Sequence, residues 1–191
     1  MDIITRCYSD LLTSDPIPPT SRLPFSKEEI KKVWEHQKEP WVDTVLILLY
    51  SGWRISELLN LKPEDINLQA GTMKGGTKTK AGKDRVVPIH SKIRALVEAR
   101  LAEGGPRLIS YNGRACSQTQ YRVFWADIMK ALEMNHTPHE CRHTFETQLD
   151  SAGANRKCID LLMGHVSKDT GNRVYNHKTL DELKATVELI Q

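Results

Sequence analysis

Hydrophobic positions recur along this chain at helical spacing, with one break in the middle. Ser26-x-x-Glu29 has the form of a capping box, and Phe25 with Ile30 has the spacing of a hydrophobic staple. A helix is therefore expected from Ser26, with Ile30, Val33 and Trp34 as its apolar stripe. From about Trp41 to Tyr50 the residues are apolar nearly all round (Val42, Val45, Leu46, Ile47, Leu48, Leu49), which predicts a central, buried helix. Gly52 ends it. A short helix carrying Leu58, Leu59 and Leu61 follows and stops near Pro63.

Between Asp65 and Ile89 the pattern changes. Gly71, Gly75, Gly76 and Gly82 punctuate short segments, and Arg85-Val86-Val87-Pro88-Ile89 reads as a strand. The spacing predicts a small antiparallel sheet with a turn at Ala81 to Asp84. Helices then return. Ile93, Leu96, Val97 and Leu101 form one stripe, and Tyr121, Phe124, Trp125, Ile128 and Leu132 another. Further helices are expected from about His139 to before Gly153, from Arg156 to Met163 with a stop at Gly164, and from Leu180 to Leu189. The fold class is α+β, mainly α-helical with one small antiparallel sheet. Residues 1–24 carry Pro16, Pro18, Pro19 and Pro24 and read as an extended arm or linker, leaving 25–191 as the folded domain.

Composition narrows the function classes. The chain has 191 residues, 39% hydrophobic and 27% charged, a size and balance suited to one globular domain. The longest apolar run, Val45 to Tyr50, is far short of a membrane span, and Met1-Asp2-Ile3-Ile4 does not open a secretory signal. Cys7, Cys116, Cys141 and Cys158 are scattered and form no C-x-x-C pair, so a reducing, cytoplasmic setting is expected rather than a disulfide framework. The net charge of +3 says little. Its distribution says more: Lys74, Lys78, Lys80, Lys83 and Arg85 face the single acid Asp84, which points to a polyanionic partner.

Four segments place polar residues where the apolar pattern does not ask for them. In Ser51-Gly52-Trp53-Arg54-Ile55-Ser56-Glu57-Leu58 an arginine directly follows the buried helix, and Glu57 at i+3 can pair with it. A partly buried, always-charged guanidinium suits a phosphate. In Gly76 to Arg85, Lys78 and Lys80 point to the same face of a strand, so two lysines reach one groove. Thr137-Pro138-His139-Glu140-Cys141-Arg142-His143 matches H-E-x-x-H, the zincin pattern. No third ligand follows at a familiar spacing, Glu146 stands where the longer pattern wants glycine, and Arg142 opposes a cation. Read as H-x-x-R, His139 and Arg142 instead set a proton-transfer group beside a phosphate clamp on one helical face. Leu161-Leu162-Met163-Gly164-His165 is followed by Arg173-Val174-Tyr175-Asn176-His177.

In this order and spacing the four segments resemble the tyrosine recombinase (phage integrase) family, from about Phe25 to the end. The family's first arginine box matches Gly52, Arg54, Glu57 and Leu58, and its strand lysine matches Lys78, with Lys80 a close rival. Its H-x-x-R box matches His139 and Arg142, its Leu-Gly-His box matches Met163-Gly164-His165, and its nucleophile matches Tyr175 with His177. The resemblance implies the fold of the DNA breaking–rejoining catalytic domain. It also implies an integrase or recombinase of a phage or mobile element, cutting and rejoining double-stranded DNA through a 3′-phosphotyrosine at Tyr175.

No cofactor, metal or ATP is implied. Arg54, Lys78, His139, Arg142, His165 and Tyr175 would be catalytic, and Lys80, Lys83 and Arg85 would bind DNA. Relatives carry a helical core-binding domain before this region, which is expected to be absent here. A tetramer on DNA is expected for a full-length protein and a monomer for this piece, with no membrane partner. The rival reading is a non-enzymatic DNA binder, with Thr144 to Met163 bent at Gly153 as a helix-turn-helix. It leaves Arg54, Lys78 and Tyr175 without a role.

Overall fold

A computed structural model describes residues 23–76, 83–165 and 178–191. Lys78, Lys80 and Tyr175, and almost all of the proline-rich arm, lie outside the described residues. Helix α1 (Lys27–Glu35) starts as the sequence predicts, on a Ser26–Glu29 capping box, with Phe25 and Ile30 both buried. Helix α2 (Val42–Leu49) is buried along nearly its whole length and packs against α1, α4 (Arg94–Ala102) and α6 (Pro138–Ser151). This is the expected outcome for a segment with no polar face.

Where α2 ends, the chain makes a close approach. Gly52 has φ +64°, and a Cβ there would stand 2.4 Å from the ring of Phe145 on α6. A glycine is needed both for the left-handed backbone and for the contact. Trp53 is then buried, and the short helix α3 (Ile55–Leu58) follows with Arg54 at its N-cap.

The expected sheet is present as β1 (Ile66–Asn67), β2 (Thr72–Gly75) and β3 (Arg85–Pro88), antiparallel in the order β1-β2-β3. Met73 pairs with Val87 and Gly75 with Arg85. Met73 and Val87 are fully buried, so this face of the sheet joins the core. A second, two-residue hairpin, β4 (Ser110–Tyr111) with β5 (Arg114–Ala115), has no counterpart in the sequence reading. Helices α5 (Gln118–Ala131), α7 (Arg156–Met163) and α8 (Leu180–Val187) follow the predicted stripes. Both α7 and α8 pack on β3 and on each other, and α6 also meets α7. Cys116, Cys141 and Cys158 are free and buried. Among the described residues no helix is long and apolar enough to cross a membrane.

Candidate active site

The α2–α3 corner, the N-terminal half of α6 and the C-terminal end of α7 converge on one guanidinium. Arg142 is 2% exposed. Its Nη1 donates to the carbonyl of Gly52 at 2.7 Å, and its Nη2 donates to the carbonyl of Met163 and to His165 Nε2 at 3.2 Å. One side chain thus ties together three of the four sequence boxes. Its contacts are neutral oxygens and a ring nitrogen, with no carboxylate in hydrogen-bond reach among the described residues. Burial first, and then the charges of Arg54 and Arg85, push its pKa down to about 10. These bonds use three of the five N–H donors of a guanidinium. One Nη1 hydrogen and the Nε hydrogen stay uncommitted among the described residues.

His165 is positioned by the way α7 stops. Gly164 caps the helix in a left-handed conformation (φ +64°), and the His165 amide turns back onto the Asp160 carbonyl at 2.9 Å. Because arginine can only donate, Nε2 of His165 must be the acceptor, and a neutral ring then carries its proton on Nδ1. Burial and the neighbouring Arg142 charge both lower the pKa of His165, which favours this neutral form.

Arg54 caps α3 with extended backbone, and its side chain is 19% exposed. Glu57 holds it doubly. Oε2 of the carboxylate accepts from the Arg54 amide at 3.1 Å, and Oε1 accepts from Arg54 Nη1 at 3.1 Å. The same Oε2 accepts from Arg85 Nη2 at 2.8 Å. Burial alone would raise the Glu57 carboxyl, but the Arg85 hydrogen bond and charge, then Arg54, outweigh it and hold it below its ordinary value.

Here one expectation is corrected. The basic hairpin pattern assigns Arg85 to the groove-facing cations, but its side chain is 4% exposed, paired with Glu57 and stacked 4.0 Å above the Trp53 ring. The signal was present in the strand. Arg85 and Val87 share a face, Val87 is fully buried, and the exposed residue of this strand is Val86. Lys83, by contrast, is exposed.

His139 lies at the exposed start of α6, its ring edge-on to His143 with centroids 4.7 Å apart. The intervening Glu140 points elsewhere: it is buried, accepts from the Thr137 amide at 2.6 Å and pairs with His136 Nδ1 at 3.1 Å. The glutamate of the H-E-x-x-H match is thus a helix-capping residue. Among the described residues no three His, Cys, Asp or Glu side chains are grouped to hold a metal ion. The α6–α7 pair turns at Gly153 (φ +72°), but α7 buries Cys158, Ile159, Leu162 and Met163 against the core.

Residues 25–182 match the model of the phage integrase family. Tyrosine recombinase XerA of Pyrococcus furiosus is 33% identical over 193 residues, covering 94% of this chain and 66% of that protein. Tyrosine recombinase XerC of Pelobacter propionicus is 36% identical over 73% of this chain and 48% of its own length. The chain thus spans 66% or less of these two relatives. The crystal structure of XerA recombinase superposes with a TM-score of 0.66 at 26% identity, covering 93% of this chain and 69% of that one. The Tn1549 transposon integrase in complex with circular intermediate DNA shares the fold, with a TM-score of 0.66 at 23% identity over 95% of this chain and 68% of that one.

Proposed function

The chain belongs to the phage integrase family, and from that premise we propose that it is the catalytic domain of a site-specific DNA recombinase. The observation that carries this reading is Arg142, a buried cation held by two carbonyls and a histidine, with Arg54 close by. Such a pocket is prepared for the non-bridging oxygens of a phosphodiester, which Arg142 and Arg54 meet with charge-assisted hydrogen bonds. Tyr175 Oη attacks phosphorus, the P–O5′ bond breaks, and a 3′-phosphotyrosine and a free 5′-hydroxyl result. Lys78 gives its proton to the departing 5′-oxygen, and Lys80 is the alternative donor. His139 assists removal of the tyrosine proton, and His165 supports the phosphate through its Nδ1 hydrogen. Religation runs the same steps in reverse, so neither ATP nor a metal is required.

The partner is double-stranded DNA, contacted also by Lys80 and Lys83. The working assembly of a full-length protein is a tetramer on DNA, this piece alone is a monomer, and the setting is the cytoplasm. DNA bound to the Tn1549 integrase supports the choice of partner. The test is a nicked suicide substrate. Wild type forms a denaturant-resistant protein–DNA adduct and Tyr175→Phe forms none while still binding DNA. An adduct in the Phe variant would move the nucleophile elsewhere. A 5′-bridging sulfur substrate, which needs little leaving-group protonation, rescues cleavage by Lys78→Ala. Rescue of Lys80→Ala alone would assign the acid to Lys80.

A further inference from the structure

Arg85 is a costly residue for the fold. Its side chain is 4% exposed, and two of its nitrogens, Nε and Nη1, are buried with no hydrogen-bond partner among the described residues. A buried ion pair rarely stabilises more than an apolar pair of the same size, and unsatisfied buried donors weaken it further. Stability therefore does not account for a guanidinium here. Its neighbours do. Arg85 Nη2 and the Arg54 backbone amide both reach Glu57 Oε2, while Arg54 Nη1 takes Oε1. The carboxylate is held from two sides, and its rotamer is fixed.

The charge balance of the trio matters as well. Without Arg85, one carboxylate would face one guanidinium, and Glu57 would cancel the charge that Arg54 offers to an anion. With Arg85 the trio carries two positive charges against one negative. Trp53 holds the extra guanidinium in place by its ring face, 4.0 Å away. Opposite Arg85 on β2 stands Gly75, where a Cβ would stand 2.7 Å from Leu61 and 3.5 Å from Trp53. The missing side chain at Gly75 makes room for Leu61, while the tryptophan lies at ordinary contact distance beside it.

We propose that Arg85 is a positioning residue of the candidate active site: through Glu57 it fixes the side chain that holds Arg54, and it returns to the phosphate pocket the positive charge that Glu57 would cancel. This rests on the recombinase reading above, and two readouts keep the two apart. The first needs no activity. In the free protein, ¹⁵N relaxation of the Arg54 Nε–H reports its order. Arg85→Met, which keeps the bulk, is expected to leave the fold intact by circular dichroism and to loosen Arg54. Arg85→Lys, the fallback should the Met variant not fold, is expected to loosen it partly.

The second is single-turnover cleavage of the nicked substrate. Arg85→Met is expected to slow it on the order of a hundredfold, with DNA affinity within about twofold of wild type. Because Arg85 acts through Glu57, adding Arg85→Met to Glu57→Gln should slow cleavage little beyond Glu57→Gln alone. An ordered Arg54 in Arg85→Met overturns the proposal, and so do fully additive losses in the double variant. A loosened Arg54 in a protein whose wild type makes no adduct would uphold the network and sink the recombinase reading instead.

Discussion

Arg100 and Arg142 are buried to similar depth and live in opposite surroundings. Arg100, on α4, meets Asp43 through two bonds of 2.6 Å, reaches Glu103 at 3.2 Å and stacks 4.7 Å above Trp41. Burial opposes its charge, but Asp43 and then Glu103 outweigh burial, and its pKa rises. Among the described residues Arg142 donates only to carbonyls and a neutral histidine, and its pKa falls. Burial of an arginine therefore says nothing about its role. The charge of its partners does: Arg100, met by two carboxylates, is finished, and Arg142, met by neutral dipoles, still asks for an anion.

The contrast can be broken at either end. The largest effect is expected from Arg142→Gln, which should lower single-turnover cleavage by about a thousandfold while the protein still folds. Cleavage within tenfold of wild type would mean that Arg142 does not face the phosphate. Arg100→Gln should do the reverse. It leaves the partly buried Asp43 without its partner, so urea unfolding should show a loss of up to about 3 kcal/mol, with cleavage per folded molecule unchanged. Exchanging both Arg100 and Asp43 for apolar residues should restore much of that stability, and a further loss would contradict the assignment of a self-contained pair.

Gly52→Ala should strike fold and site together. It forces an alanine to positive φ and pushes a methyl group against Phe145, at a cost of roughly 1–3 kcal/mol. Since the Gly52 carbonyl accepts from Arg142, cleavage should fall more than the loss of folded protein explains. Equal losses of both would make Gly52 a packing residue only.

The smallest effect is a pH dependence. The pKa values of His165 and of the buried His90 are both lowered from 6.5, burial being the first cause in each. The unfolded chain then binds protons that the folded one refuses. Stability is full above pH 6.5 and declines as pH falls below it through the two folded values. Protonated His165 can no longer accept from Arg142. His165→Asn should flatten part of this slope in melting curves between pH 7.5 and pH 5, and the rest belongs to His90. Parallel wild-type and variant profiles would remove His165 from the account.

Much of this arrangement was legible before any coordinates. The capping box at Ser26, the all-round apolar α2 and the stop of α7 at Gly164 are local signals, and the structure reproduces each. Arg54, Glu57, His139, Arg142 and His165 stood out because each interrupts an apolar pattern, and the fold brings Arg54, Glu57, Arg142 and His165 to one corner. The β4–β5 hairpin escaped although Asn112-Gly113 is a strong turn signal, with φ of 52° and 71°. Strands of two residues are too short to display alternation. Arg85 was misplaced because a cation beside lysines was given their environment, when the strand's period of two assigns it to Val87's face. That Glu57 serves two arginines is a tertiary fact. It joins residues 28 positions apart, and no local pattern carries it.

The uncommitted donors of Arg142 also make the stability of this protein open to mass action. An oxyanion that seats on Arg142 and Arg54 binds the folded chain and finds no such site in the unfolded one. At a hundred times its dissociation constant it should add roughly 2.7 kcal/mol to the free energy of unfolding. The melting temperature then becomes a gauge of sulfate or phosphate concentration. Arg142→Gln should flatten that gauge, while Arg100→Gln, though less stable throughout, should keep its slope.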